Sequence, residues 1–375
     1  MKPVIIESSE QMKTLAAQLE DAKLIAVDTE FFRETSYYPQ LALVQIATDS
    51  IVACIDPLVF DAKDALKQIL LDETITKIFH SCSQDLEVLY YYLGQAPATI
   101  YDTQIANALL TDFHQIGYAS LVENELGVSL DKSQTRTNWL QRPLTEKQIQ
   151  YAGDDVFFLY QLQLKLDKRL RETGRKSWFE EESETLNNCG NFQLATDKLW
   201  RRVKGASRLP RNKLAVVQAI AIWREQLAQK NDKTRRRILG DDIINNLAYR
   251  QPENISTLDQ TITSKYNFTE EEKKQLLLVI KQATQSPEAS WPDNRFDTLD
   301  AEQKLLLKKL QKIVSDCAEE LTIASTVLCP KKDLETLILH FQNQQDPPLP
   351  QINAVQGWRY RCIGQNLLET IKQQQ

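Results

Sequence analysis

The sequence predicts an α/β domain, a mixed sheet flanked by helices, followed by two small all-α domains. Three observations lead there. Short apolar runs of strand length alternate with helical stretches only in the first 171 residues; from about residue 210 the pattern is helical with few strand signals; and a unit of long helix, polar loop and short helix occurs twice in that second half. The expected boundaries are 1–171 for the α/β domain, 172–209 for a helical linker, 210–289 for the first helical domain and 294–375 for a second, more diverged one.

Leu24-Ile25-Ala26-Val27 is a short apolar run suited to a buried central strand, with Asp28 nearest its end. Leu41–Ala47 and Ile51–Ile55 are further strands, joined by Thr48-Asp49-Ser50 as a tight turn, so the first three strands suggest an antiparallel meander. A helix is expected over 61–71, a strand over Thr76–Phe79, a helix near 82–93 and a strand near Thr99–Tyr101. Ser81-Cys82-Ser83-Gln84 has the capping-box form and would place Asp85 in the first turns of its helix. Thr145-Glu146-Lys147-Gln148 has it again and opens a long helix ending near Gly174. Glu180-Glu181-Glu182-Ser183-Glu184 reads as a solvated linker helix. Trp223–Leu239 and Ile313–Leu328 are the two copies of the helical repeat, with Ser286-Pro287 to Trp291-Pro292 as the connector between them.

A hydrophobic content of 42% and a charged content of 26% over 375 residues are those of an ordinary globular protein. No run reaches membrane-span length, and Met1-Lys2-Pro3-Val4-Ile5 lacks the apolar core of a signal peptide. The six cysteines (Cys54, Cys82, Cys189, Cys317, Cys329, Cys362) show no paired spacing, which argues against a zinc cluster or a disulfide framework and for a reduced, cytoplasmic setting. The net charge of −6 is uneven: residues 1–171 carry −9 and residues 172–375 carry +3. An acidic first domain is expected if its carboxylates await metal ions, and the basic stretch over 197–237 is where phosphate contacts are expected.

Residues two apart on a strand share a face, so Asp28 and Glu30 point together while Thr29 turns away. Tyr151 and Asp155, at i and i+4 of the long helix, also share a face. With Asp85 these make four carboxylates and a phenol on separate regular elements. Such oxygen donors suit hard divalent cations, magnesium or manganese, and two ions about 3.5–4 Å apart can clamp the attacking and leaving oxygens of a phosphodiester hydrolysis. Asp28 is expected to bridge both ions, Glu30 and Asp155 to complete one site, and Asp85 to hold the other partly through water. Tyr151, with an unperturbed pKa of about 10, is a poor base and is expected to orient the attacking water.

Each piece has a plainer reading. Asp85 can be a helix-start acid facing the dipole, and Tyr151 with Asp155 an ordinary helix pair. Asp154 is expected on the neighbouring face, and Asp102 to cap the helix after it. His80 either lines the site or is a satisfied structural histidine; His114 and His340 show no ligand spacing. Phe31 and Phe32 can stack a terminal base or pack in the core, with core packing expected for at least one, and Gln45 is read as structural. Nucleic-acid contact is expected from Arg201, Arg202, Lys204, Arg208, Arg211, Arg235, Arg236 and Arg237, helped by Lys198, Lys213 and Lys233, mostly through phosphates and therefore without sequence readout.

Asp28-Thr29-Glu30-Phe31, His80 through Asp85, and Tyr151-Ala152-Gly153-Asp154-Asp155 together resemble the three exonuclease motifs of the ribonuclease D family, in the DEDDy group of 3′→5′ exonucleases. The resemblance covers the whole chain, because the two helical units look like tandem HRDC domains, the second being the weaker match. It implies a ribonuclease H-like exonuclease domain that removes nucleotides one at a time from RNA 3′ ends, releasing nucleoside 5′-monophosphates. It further implies two divalent metal ions and, as substrate, tRNA precursors with extra 3′ residues, held by the HRDC-like units through shape and backbone. A monomer without an obligate protein partner is expected. A DNA 3′→5′ exonuclease is the nearest rival, since nothing identifies a reader of the 2′-hydroxyl; a catalytically silent RNA-binding scaffold is the other. Helicase activity is not expected, as no Gly-x-x-x-x-Gly-Lys-Ser/Thr loop is present.

Overall fold

The computed structural model describes residues 1–187, 192, 196–262, 265–292, 299–341 and 349–374. Cys189 and residue 294, the expected start of the second helical domain, lie outside the described residues. The chain divides into two units: Met1–Phe32, Leu41–Asn188 and Asp297–Gln375 form the first, Arg33–Gln40 and Cys189–Phe296 the second.

The sheet of the first unit is built from β1 (Val4–Ile6), β2 (Leu24–Phe32), β3 (Gln40–Ala47), β4 (Val52–Ile55), β5 (Thr76–Phe79) and β6 (Ile100–Asp102), in the order β1-β4-β3-β2-β5-β6. β3 and β4 are an antiparallel hairpin with Val44 opposite Ile55, and Thr48 closes its turn by accepting the Ser50 and Ile51 amides. The pairs β1–β4, β2–β5 and β5–β6 are parallel, so the sheet is mixed as expected. β3 is buried from Leu41 to Ala47, as a strand covered on both faces must be.

Two differences from the sequence reading bear on the site. β1 is absent from that reading because three residues are too few to show alternation; pairing with β4 makes them a strand. β2 runs on through Asp28 to Phe32, so Asp28 and Glu30 lie inside a strand rather than at the end of one. Their carboxylates therefore project from backbone whose conformation the sheet holds.

Helices α1 (Ser9–Gln18), α2 (Lys63–Leu70), α3 (Ser83–Leu93), α4 (Thr103–Ala108), α5 (Tyr118–Leu126) and α6 (Glu146–Glu172) accompany the sheet. The start of α6 is the capping box read from sequence: Thr145 Oγ1 accepts the Gln148 amide, and Gln148 Oε1 accepts the Thr145 amide. Ala152, Val156, Leu159, Leu162, Leu166 and Leu170 form its buried stripe, each leucine contributing about 1.5–3 kcal/mol. Gly153 interrupts the residues that carry chemistry for a steric reason. A Cβ there would lie 2.1 Å from Pro3 Cγ and 3.3 Å from Val52 Cγ1, so only glycine lets this turn approach β1 and β4.

The start of α3 departs from expectation. Ser81 does not cap it; Ser81 has φ +58° and Cys82, in the cap position, makes no side-chain cap bond. The Asp102 carboxylate accepts the amides of Ser81 and Cys82 at 3.0 and 2.9 Å and also that of Gln104, thereby serving α3 and α4 together. A carboxyl group that accepts three amides takes the place of the serine.

α7 (Lys176–Glu184) is not the solvated helix that its run of acids predicts. Glu181 accepts the Trp358 amide and pairs with Arg361; Glu182 accepts Trp358 Nε1 and pairs with Arg359; Trp178 and Trp358 stack with centroids 4.5 Å apart. A run of acids looks solvated until the cations that meet it arrive from far along the chain. Arg359 ends α16 (Gly357–Arg359) and Arg361 follows closely; α16 and the other C-terminal helices, α13 (Ala301–Leu321), α14 (Ser325–Leu328), α15 (Lys331–Phe341) and α17 (Gln365–Lys372), turn apolar faces into the same core cluster as α6.

The second unit contains α8 (Arg211–Lys230), α9 (Arg235–Ile238), α10 (Asp241–Arg250), α11 (Ile255–Asp259) and α12 (Glu270–Thr284). Its long-helix, loop, short-helix opening, α8 to α9, repeats in α13 to α14, as the sequence pattern suggested. The segment Arg33–Gln40 belongs to this unit: Tyr37 is buried in its core, donates its hydroxyl to Glu225 and lies under Arg235.

Candidate active site

β2 and α6 bring Asp28, Glu30 and Asp155 together, with one carboxylate oxygen of each within 4.8 Å of the others. Burial, then the Asp155 charge, pushes Asp28 well above the usual carboxylate range, to about 8. Burial followed by the charges of Asp28, Asp155 and Asp85 drives Glu30 higher still. Asp155 is raised by burial, with the Tyr151 hydroxyl opposing the shift. Among the described residues, no lysine or arginine is among the charges seen to act on the four acids. Mutually repelling acids in a low-dielectric site, all oxygen donors, are the ligand chemistry of a hard divalent cation, so the residues present fit such an ion.

Asp85 stands just outside that trio, buried in the first turn of α3 and raised by desolvation and by Asp28. Thr29 Oγ1 donates to Asp85 Oδ1 at 2.5 Å. Thr29 does turn away from the Asp28–Glu30 face, and its hydroxyl thereby ties β2 to α3. Sequence reasoning passed over Thr29; a hydroxyl between two strand acids was the available signal.

Tyr151 sits one turn before Asp155. Its hydroxyl lies 3.4 Å from Thr135 Oγ1, and its ring packs against Trp139 at 6.0 Å. Burial and the Asp155 charge push the phenol upward. Asp154 is on the neighbouring face with Gln150, and its carbonyl accepts the Tyr118 hydroxyl at 3.0 Å.

The other residues singled out from sequence take more ordinary places. His80 uses both ring nitrogens, towards Thr103 Oγ1 and the Ile116 carbonyl, and burial lowers its pKa. Phe31 and Phe32 are half-buried at the end of β2. Gln45 is fully buried with neither amide atom hydrogen-bonded. In the second unit, Arg201, Arg202, Lys204, Arg208, Arg236 and Arg237 are exposed, and Lys204 and Arg236 line one open groove with Lys265 and Tyr266. Arg201 packs over Trp200, Arg211 pairs with Glu288, and Arg235 is engaged by Glu225.

A mixed sheet with this acidic centre, in a chain that also carries a helical unit with exposed cations, defines a 3′→5′ exonuclease with a further helical domain. Residues 3–171 match the 3′-5′ exonuclease family and residues 213–280 the HRDC domain. The ribonuclease D of Pseudomonas paraeruginosa is 34% identical over 350 residues, 93% of this chain and 92% of its own. That of Escherichia coli is 31% identical over 382 residues, 98% and 99% of the two chains. The crystal structure of Escherichia coli RNase D, an exoribonuclease involved in structured RNA processing, aligns with a TM-score of 0.84 at 29% identity, covering 100% of this chain and 99% of that one. A protein from Bifidobacterium adolescentis shares the fold, with a TM-score of 0.73 at 22% identity over 99% and 97% of the chains. The chain belongs to the ribonuclease D family and is a 3′→5′ exoribonuclease, of a family whose exonuclease domain depends on divalent metal.

Proposed function

We propose that the enzyme trims extra residues from the 3′ ends of tRNA precursors, releasing nucleoside 5′-monophosphates, with Asp28, Glu30, Asp85 and Asp155 as metal ligands. The observation that carries this reading is the set of converging carboxylates, on which no lysine or arginine among the described residues is seen to act. Asp28, Glu30 and Asp155, with Asp85 close by, would hold magnesium or manganese. Such ions supply an activated water and neutralise charge on the phosphate oxygens.

The chain's own groups do the rest. Thr29 fixes the Asp85 carboxylate, so the α3 side of the site keeps its distance from β2. The Tyr151 hydroxyl, steadied by Thr135, orients the attacking water as a hydrogen-bond partner while remaining protonated. The exposed cations of the second unit meet the body of a structured RNA through its phosphates. The exonuclease, linker and two helical domains follow the boundaries 1–171, 172–209, 210–289 and 294–375, in a monomeric, cytoplasmic enzyme.

The test is a 5′-labelled tRNA with a short 3′ extension, incubated with magnesium or manganese and the wild type or Asp28→Asn. Stepwise 3′ shortening that disappears in the variant and with chelator is the expected result. Shortening of a matched DNA strand at the same rate, or retention of activity by the variant, would overturn the reading.

A further inference from the structure

The segment between α5 and α6 carries an arginine that the acidic centre leaves unexplained. Thr135 and Thr137 flank Arg136, and both are anchored to the first turns of α6: Thr135 Oγ1 lies 3.4 Å from the Tyr151 hydroxyl, and Gln148 Nε2 donates to Thr137 Oγ1 at 3.3 Å. Thr135 also closes its own turn, donating to the Lys132 carbonyl at 3.0 Å, and Trp139 packs against Tyr151 just beyond. The backbone at residue 136 is thus held beside the Tyr151 turn from both sides. The residue is exposed, and no carboxylate among the described residues pairs with it.

Arg142, in the same segment, shows what a structural arginine looks like here. It pairs with the buried Asp56 and donates to the carbonyls of Trp139, Gln141 and Ala42. Arg136 makes no such bonds. An exposed guanidinium carried on backbone held beside the Tyr151 turn, near four acids on which no lysine or arginine among the described residues is seen to act, is placed to meet an incoming anion.

We infer that Arg136 binds a non-bridging phosphate oxygen of the RNA 3′ end and so holds the scissile region against the carboxylates. The inference rests on the proposed role of those carboxylates and adds a substrate contact on the Tyr151 side of the site. A guanidinium in that place offsets the repulsion between a polyanionic strand and an acidic centre, and acts on binding more than on the chemical step.

The experiment uses the full-length enzyme with manganese and a short 5′-labelled single-stranded RNA, comparing wild type, Arg136→Ala and Arg136→Lys. Arg136→Ala is expected to raise KM about tenfold with kcat changed less than about threefold. The slope of log(kcat/KM) against log[salt] should become shallower by about 0.7, the value for one phosphate contact on a single strand. Arg136→Lys keeps the charge and should restore the slope and most of KM. An unchanged KM and slope in Arg136→Ala overturns the inference. So does equal impairment of both variants with a lowered Tm, which marks a structural role. Inactivity of the wild type itself would count against the carboxylate reading instead, so the two failures are distinguishable.

Discussion

Charge is used in opposite ways by the two units. In the first, a few carboxylates on β2, α3 and α6 are gathered where burial and mutual repulsion raise them all. In the second, cations such as Lys204, Arg208, Arg236 and Arg237 are spread over exposed positions. Concentrated charge is positional: losing one member changes what the site can hold. Dispersed charge is additive, since each cation contributes a screened increment to the attraction of a polyanion.

The largest effect that sharpens this contrast is expected from Asp28→Asn, which should reduce RNA hydrolysis roughly a thousandfold in single-turnover assays. The same change should stabilise the metal-free protein. A carboxyl whose folded pKa is raised favours the folded state at low pH, and that contribution is lost as pH rises through the folded value. Asp28 stands at about 8, and unfolded aspartate near 3.9. The Tm advantage of the variant without metal should therefore grow between pH 5 and pH 8, reaching a few degrees by scanning calorimetry. A constant difference across that range would show that the acids are not raised in the folded protein.

Next in size is Gly153→Ala, which alters geometry while leaving every charge in place. Crowding against Pro3 and Val52 is expected to cost about 1–3 kcal/mol in urea denaturation and to lower kcat by displacing the Tyr151–Asp155 turn. Pro3→Ala added to it should recover part of both. Full activity in Gly153→Ala would break the claim that the acidic centre depends on position. The smallest effect is expected in the second unit: Lys204→Ala with Arg236→Ala should weaken tRNA binding only severalfold and make its salt dependence shallower by about one to two contacts, leaving kcat on a short oligonucleotide unchanged. A loss as large as that of Asp28→Asn would mean that this face, too, acts through fixed positions.

Much of this was legible from local pattern. Thr76–Phe79 is a strand, Thr145 opens α6 with the box its sequence spells, and the helix–loop–helix repeat is present in both places. What could not be read depends on partners distant in the chain. β1 exists through β4, and the acids of α7 find Trp358, Arg359 and Arg361 some 180 residues on. The serine that looked like the cap of α3 gives way to Asp102 because a carboxylate from β6 reaches those amides first. At the acidic centre, the aspartates, the glutamate and the tyrosine could be named from spacing. Thr29 could not be given its bond to Asp85, because strand alternation says only which way a side chain leaves the sheet.

Gly153 has a consequence for inheritance. Every missense change of a glycine codon introduces a Cβ, and here that atom meets the ring of Pro3 whichever residue carries it. Change at this codon is therefore expected to cost stability unless the N-terminal segment gives way. Two codons 150 positions apart are expected to vary together, a smaller residue at the proline easing the replacement of the glycine.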